Sequence, residues 1–377
     1  MAVQQDVAVR AVARVNLAAI ERNVARMRSA LAPDGALCAV VKADGYGHGA
    51  VQAARAALAG GATWLAVVAA QEAAALRAAG IHAPILVMGA LTPHELDVAL
   101  DAGADVVAWD EAFVAAVAAH GGGSVHVKLD TGMGRLGTRD RAAATRVADA
   151  AAATDGVFLA GAMTHFATAD ERGDAFFGQQ LERFTSWALP LKARHPSIIL
   201  HAANSAATLR DAGAHLDMVR AGVAIYGLDP FHEDAVTRDL EPALELRSWV
   251  AAVKPVAPGE SAGYGRRFVA EQPTYTATVP IGYGDGVRRA LTNNADVLVR
   301  GARRPLVGTV SMDNITLDVG VPPAASVGDA AILIGAQGEE RIAAEEVARR
   351  LGTINYEVTC ALLPRVPRVY HRDGRPE

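Results

Sequence analysis

The sequence predicts an α/β protein, a (β/α)8 TIM-like barrel followed by a mostly β C-terminal domain. Three observations point there. Between residue 36 and about residue 225, short apolar runs alternate with alanine-rich helical stretches, the rhythm of strand–helix units on a parallel sheet. At Leu228-Asp229-Pro230 the rhythm breaks, and by Ala243 β-branched and aromatic residues with frequent Gly and Pro have taken over. The length, 377 residues of which 51% are apolar, exceeds one ordinary core but suits a barrel with an appendage. A doubly wound open sheet would give a similar alternation.

Eight strands are expected: Ala36–Val41, Trp64–Val68, Ile85–Met88, Asp105–Ala108, Val125–Leu129, Phe158–Thr164, Ile198–His201 and Met218–Arg220. Each is a short apolar run, as strands covered on both faces require. The stretches Val51–Leu58, Gln71–Ala79, His94–Asp101, Arg141–Ala153 and Phe176–Leu191 read as helices between them. In the second half, Leu244–Val253, Thr274–Pro280, Ala295–Arg300, Leu306–Val310, Ile315–Val319 and Ala330–Ile334 read as strands, and Ala343–Leu351 as a helix. This places a barrel domain over residues 1–240, with residues 1–12 free to pack with the second domain, and a β domain over 241–377.

Composition excludes several classes. A net charge of −5 gives no basic field for nucleic acid or anionic lipid. The two cysteines, Cys38 and Cys360, have no metal-ligand spacing and form no disulfide framework, so neither a metal nor an oxidising compartment is expected. The amino terminus lacks an apolar core behind a basic start, and no window reaches the 18 apolar residues of a membrane span. A cytoplasmic enzyme is the expectation.

Two motifs mislead. Gly132-Met-Gly134-Arg-Leu-Gly137 matches a dinucleotide-loop pattern, yet falls at the fifth strand and carries Asp130 and Arg135, which such a loop does not need. Gly259-Glu-Ser-Ala-Gly263, with His120-Gly-Gly-Gly123 upstream, imitates a hydrolase elbow, but Pro255 and Pro258 precede it and no helical pattern follows. It reads as a β-domain turn.

The chemistry collects where strands end. Lys42 follows the apolar run Ala39-Val40-Val41, so burial would lower its pKa and make its amine nucleophilic. Lys128, Asp130 and Arg135 follow strand five, His165 follows strand six, Asn204 and Ser205 strand seven, and Arg220 and Gly222 strand eight. A rim of this kind is an active site in a barrel, and the last two loops commonly hold a phosphate on backbone N–H groups. A lysine, a phosphate site and no metal cluster suggest pyridoxal 5'-phosphate held as a Schiff base.

The segments AVVKADGYGHG (39–49), KLDTGMGRLG (128–137), MTHFATAD (163–170), HAANSAA (201–207), VRAGVAIYG (219–227), AGYGRRF (262–268), IGYGDG (281–286), GTVSMDN (308–314) and INYEV (354–358) occur in order across the chain. Together they resemble the alanine racemase family over nearly its whole length. Gly45, Gly284 and Ser311 depart from the residues usual there. The resemblance implies interconversion of L- and D-alanine by two-base proton transfer, supplying D-alanine for peptidoglycan. It implies that Lys42 carries the cofactor and serves as one base and that Tyr264 serves as the other, with His165 and Arg220 behind the tyrosine. Arg220 would face the pyridine nitrogen, bonding to it without giving up its proton. Arg135 and Met312, beside Asp313, resemble the residues on the substrate carboxylate, and Lys128 a lysine carbamylated in many relatives. Tyr46, Ser205, Gly222, Val223 and Tyr356 resemble a phosphate cradle, and Tyr283 with Tyr356 a narrow gate. It also implies a head-to-tail homodimer with shared sites. A broader-specificity racemase of the same fold and a cofactor carrier built on a barrel alone are the alternatives; the second would lack Tyr264 and Met312.

Overall fold

The computed structural model describes residues 9–377. They form two compact units, one spanning residues 20–231, the other residues 9–19 together with 232–377. The first strand of the chain, β1 (Val12–Asn16), pairs antiparallel with Leu244–Trp249 and parallel with Arg368–Arg372, and so belongs to the second unit.

The first unit is built on eight parallel strands: β2 (Ala36–Val40), β3 (Trp64–Val67), β4 (Ile85–Val87), β5 (Asp105–Ala108), β6 (Gly123–Lys128), β7 (Val157–Met163), β8 (Ile199–His201) and β9 (Met218–Ala221). Their order, β8-β7-β6-β5-β4-β3-β2-β9, sets the first and last strands side by side. Across the remaining seam, Asp217 N donates to Leu200 O (3.1 Å) and Arg220 N to Ala203 O (2.8 Å). The ladder to β2 on one side of β9 and these two hydrogen bonds to the β8 side on the other bring the sheet round into a barrel and dispose of the open-sheet alternative. Leu37, Leu65, Leu86, Val106, Val127 and Ala162 are fully buried, as strands covered by helices on one face and packed side chains on the other must be.

The second unit departs from expectation at two strands. The run read as one strand over Leu244–Val253 is two, Leu244–Trp249 in the larger sheet and Ala252–Val256 in a three-stranded sheet. Leu306–Val310 is not a strand; Leu306 makes a single bridge to Leu317, and the ladder is carried by Ala302–Pro305 in a hairpin with Asp296–Val299. The turn uses Arg300 and Gly301 at φ 53° and 74°, the positive values a two-residue hairpin needs. The arginines of Ala302–Pro305 look like loop residues in sequence, but Arg303 is held by Glu340 and Glu346. A helix over Asn355–Cys360, unanticipated, follows the expected one at Ala344–Leu351. No helix among the described residues is long and apolar enough to cross a membrane.

Candidate active site

Lys42 stands two residues beyond β2, where the backbone makes a left-handed turn. Ala43, Asp44, Gly45 and Tyr46 all have φ between 52° and 61°. Non-glycine residues held there cost about 1–2 kcal/mol each, so neighbours must fix the turn. Gly45 N donates to Val41 O (2.9 Å) and Gly49 N to Asp44 O (2.8 Å), and Asp44 Oδ1 accepts from Ala50 N (3.0 Å). Glu72 holds the other side, its carboxylate accepting from Ala43 N (2.6 Å), Val68 N (3.0 Å) and Ala69 N (3.1 Å). Glu72 had no motif to reveal it. We expect Glu72→Ala to cost about 1–3 kcal/mol by orphaning these amides, read as a lower urea midpoint; an unchanged midpoint would remove Glu72 from this role.

The structure gathers the barrel-rim residues into a cluster of cations. Arg220 is buried and donates to the carbonyls of Thr164 (2.7 Å), His201 (2.9 Å) and Ala202 (3.1 Å), to His201 Nδ1 (2.8 Å) and, more loosely, to His165 Nδ1 (3.3 Å). Burial lowers its pKa to about 10, which still leaves it protonated at neutral pH. Burial, then Arg220, Lys128, Arg135 and Lys42, hold His165 well below its ordinary pKa, so it is a neutral acceptor. Lys128 is pushed down to about 8 by burial first and then by Arg220 and Arg135, against the pull of Asp130. Asp130 is otherwise engaged, accepting from Gly132 N, Gly134 N and Arg139 Nε. The glycine-rich loop thus wraps its own carboxylate, which leaves the dinucleotide reading without its amides. Arg135, exposed on that loop, lies within electrostatic reach of Lys128.

Beside this cluster, Ser205 Oγ accepts from Gly222 N (2.9 Å) and Ala224 N (3.3 Å). Gly222 is required for space, since a Cβ there would stand 2.5 Å from Tyr46 Oη. Tyr46 stacks on Tyr226 with centroids 5.1 Å apart, and Tyr226 Oη donates to Val40 O (3.0 Å). Val223, buried, opens the short helical turn that follows.

The remaining candidates lie in the second unit. Tyr264 and Met312 are 73% and 51% exposed, and Tyr283 is exposed as well. Their loops are stitched into one surface: Thr309 Oγ1 donates to Tyr264 O (2.6 Å), Tyr283 N to Ser311 O (3.0 Å) and Gly284 N to Met312 O (2.9 Å). Asp313 is ion-paired with Arg365 (2.6 Å), and its carbonyl accepts from Arg10 Nη2 (2.7 Å). Arg10 also reaches the buried Asp285 (2.9 Å). Tyr356, half-buried on the Asn355–Cys360 helix, has the His232 ring at 6.2 Å. The hydrolase-like motif is a hairpin, with Ser261 and Ala262 paired to Val269 and Phe268.

Comparison with known proteins identifies the family. The family model for the alanine racemase N-terminal domain matches residues 15–230, and that for the C-terminal domain matches 243–370. The chain is similar to alanine racemase of Desulfovibrio desulfuricans, 42% identical over 95% of this chain and 97% of that one. It is similar to alanine racemase 1 of Bacillus subtilis, 39% identical over 96% and 93%. The crystal structure of alanine racemase from E. faecalis superposes with a TM-score of 0.91 at 35% identity, covering 98% of this chain and all of that one. With both domain models matched in order and the barrel and β unit accounted for, the chain belongs to the alanine racemase family.

Proposed function

We propose that this chain interconverts L- and D-alanine, using pyridoxal 5'-phosphate in the barrel mouth and passing the α-proton between Lys42 and Tyr264. The observation that carries the reading is the charge of the mouth. Lys42, Arg135 and Arg220 all act on Lys128 there, and the carboxylate that acts on Lys128, Asp130, is already engaged elsewhere. Such a site suits a phosphate and a substrate carboxylate. Ser205 Oγ, held by the amides of Gly222 and Ala224, and the close approach of Tyr46 Oη that the glycine at 222 permits also fit that group.

Lys42 would hold pyridoxal phosphate, which would supply the electron withdrawal that makes the α-proton removable. The chain's own residues do the rest. Lys42 takes or returns the proton on one face, and Tyr264 on the other, because inversion requires bases on both sides. His165, kept neutral by burial and its cationic neighbours, accepts a hydrogen bond from Arg220 and resists taking up a proton. Arg220 offers a hydrogen bond to the ring nitrogen and keeps its own proton, which limits charge build-up on the ring. Arg135 and the Met312 backbone N–H orient the substrate carboxylate, with Asp313 beside them. Tyr46, Ser205, Gly222, Val223 and Tyr356 hold the phosphate, and Tyr283 and Tyr356 narrow the entrance. The exposure of Tyr264 and Met312 supports a head-to-tail homodimer in which each β unit completes its partner's mouth.

Lys128 has a chemistry of its own. With its pKa near 8, its neutral amine becomes available as pH rises through that value. It would add to carbon dioxide, forming an N–C bond, releasing a proton and leaving a carbamate anion to orient Arg135. With carbon-13 bicarbonate, a carbamate resonance should grow as pH rises through 8 and vanish in Lys128→Met. An amine silent across that range would remove the carbamate. The whole reading is tested by racemisation assays on alanine, serine and lysine with added cofactor: alanine should be preferred, equal rates on all three would favour the broader-specificity alternative, and no racemisation would refute it.

A further inference from the structure

Beyond Arg220, buried groups form a hydrogen-bonded path that the proton transfer does not use. Arg220 Nη1 meets His201 Nδ1 at 2.8 Å, His201 Nε2 meets His126 Nδ1 at 2.8 Å, and His126 Nε2 meets Asp105 Oδ2 at 3.0 Å. Both imidazoles are fully buried, and the Trp64 ring lies edge-on against His126 with centroids 5.9 Å apart. Asp105 opens β5, so the path runs from the amino-terminal end of the barrel up to the mouth.

The two ends dictate the direction of each bond. A guanidinium has no acceptor, so His201 Nδ1 accepts and a neutral His201 carries its proton on Nε2. That proton is donated to His126 Nδ1, which leaves the His126 proton on Nε2, facing the Asp105 carboxylate. A charged imidazole at either position would set two hydrogens against each other, either at Arg220 or between the rings.

The fold makes room for the central bond. The β6–β7 pairing shifts between Val125 and His126, and His126 comes opposite Gly161. A Cβ on Gly161 would overlap His126 Nδ1 and lie 2.7 Å from its Cε1 and 2.8 Å from Ile199 O. Gly161 does not need positive φ, so space is what requires glycine there. Arg220's hydrogen-bond acceptors among the described residues are carbonyls and imidazoles, with no carboxylate among them. Arg77, a cation that acts with Asp105, gives its hydrogen bonds to the carbonyls of Ile81, Ala83, Ala102 and Gly103.

We infer that Asp105, His126 and His201 are positioning residues for the racemisation: a one-way chain that fixes the Arg220 guanidinium and delivers the charge of Asp105 to it from across the barrel. A carboxylate set directly against Arg220 would lie close to the ring nitrogen and favour protonating it; the relay supplies the counter-charge from a distance. This inference rests on the proposed function.

Nitrogen-15 spectra of the apoprotein test the chain without the cofactor. Both rings should be neutral with the proton on Nε2, and a coupling across the hydrogen bond should link His201 Nε2 to His126 Nδ1. In the loaded enzyme, Asp105→Asn keeps an acceptor oxygen for His126 and removes the charge alone. Its kcat for alanine should fall about tenfold, the order expected of a unit charge acting across a barrel at an effective dielectric of ~20. KM should barely change, and the absorbance band of the bound cofactor should shift. An imidazolium or a proton on Nδ1 in the apoprotein would overturn the chain, whether or not the variant folds. Wild-type kcat with an unmoved band in Asp105→Asn would overturn the charge delivery. Failure of the wild-type protein to racemise alanine would strike the functional reading instead, and the apoprotein spectra would still decide the chain.

Discussion

Tyr264→Phe is expected to slow alanine racemisation by about 10²–10⁴-fold, the usual worth of a general base, while D-alanine continues to exchange its α-proton with deuterated solvent. The asymmetry follows from the two bases: we assign Lys42 to the proton of D-alanine and Tyr264 to that of L-alanine, so the D side keeps its base and the L side loses it. Exchange from L-alanine should therefore fall with the racemisation rate. Tyr264 is 73% exposed, so losing one hydroxyl should leave folding unaffected. Equal losses of exchange from both enantiomers would remove the assignment of faces. Mixing Tyr264→Phe with Lys42→Ala subunits adds a test of the shared site. Mixed dimers would contain one mouth with both groups intact, and activity should partly return; no rescue after proven mixing would count against sharing.

Arg220→Glu should be damaging for two separate reasons. From sequence, its effect is electronic: an acid facing the ring nitrogen would let that nitrogen hold a proton, and racemisation would fall. The structure adds a folding cost. Arg220 donates to three carbonyls and two imidazoles in a buried setting, and glutamate would set a second acceptor against them. Losing one partner of a buried charged network costs about 3–5 kcal/mol, so the urea midpoint should fall substantially in the apoprotein as well. Arg220→Lys keeps the charge but loses the forked geometry, and should be destabilised less. A Glu variant as stable as the wild type would show that these carbonyls do not depend on Arg220.

The barrel was legible because parallel strands buried on both faces must be written as short apolar runs, and each of the eight lies within two residues of its expected position. The β unit was less so. Ala302–Pro305 carries two arginines in place of apolar residues, and Arg303 is fitted to the sheet by its ion pairs with Glu340 and Glu346. The strand Val12–Asn16 depends on partners more than 200 residues away, which local pattern does not encode. At the mouth, Lys42, Lys128, His165 and Arg220 were visible because strand ends collect chemistry, and the structure brings them into one electrostatic cluster. The left-handed turn after Lys42 was not visible, since Ala43, Asp44 and Tyr46 are not glycines and the glutamate that holds them lies on another element. His126 and His201 read as ordinary strand residues; their contact requires the Gly161 gap and the local shift in register.

The most direct measurement is to reduce the cofactor-loaded enzyme with borohydride and map the modified peptide. Two amines compete on chemical grounds, for Lys128 has a pKa near 8 and acts electrostatically on the same site as Lys42. The account predicts the reduced cofactor on Lys42, within the segment VVKADGYGHG. A label on Lys128 would contradict it, because the covalent anchor would then arise from β6 and the base opposite Tyr264 would have to be reassigned.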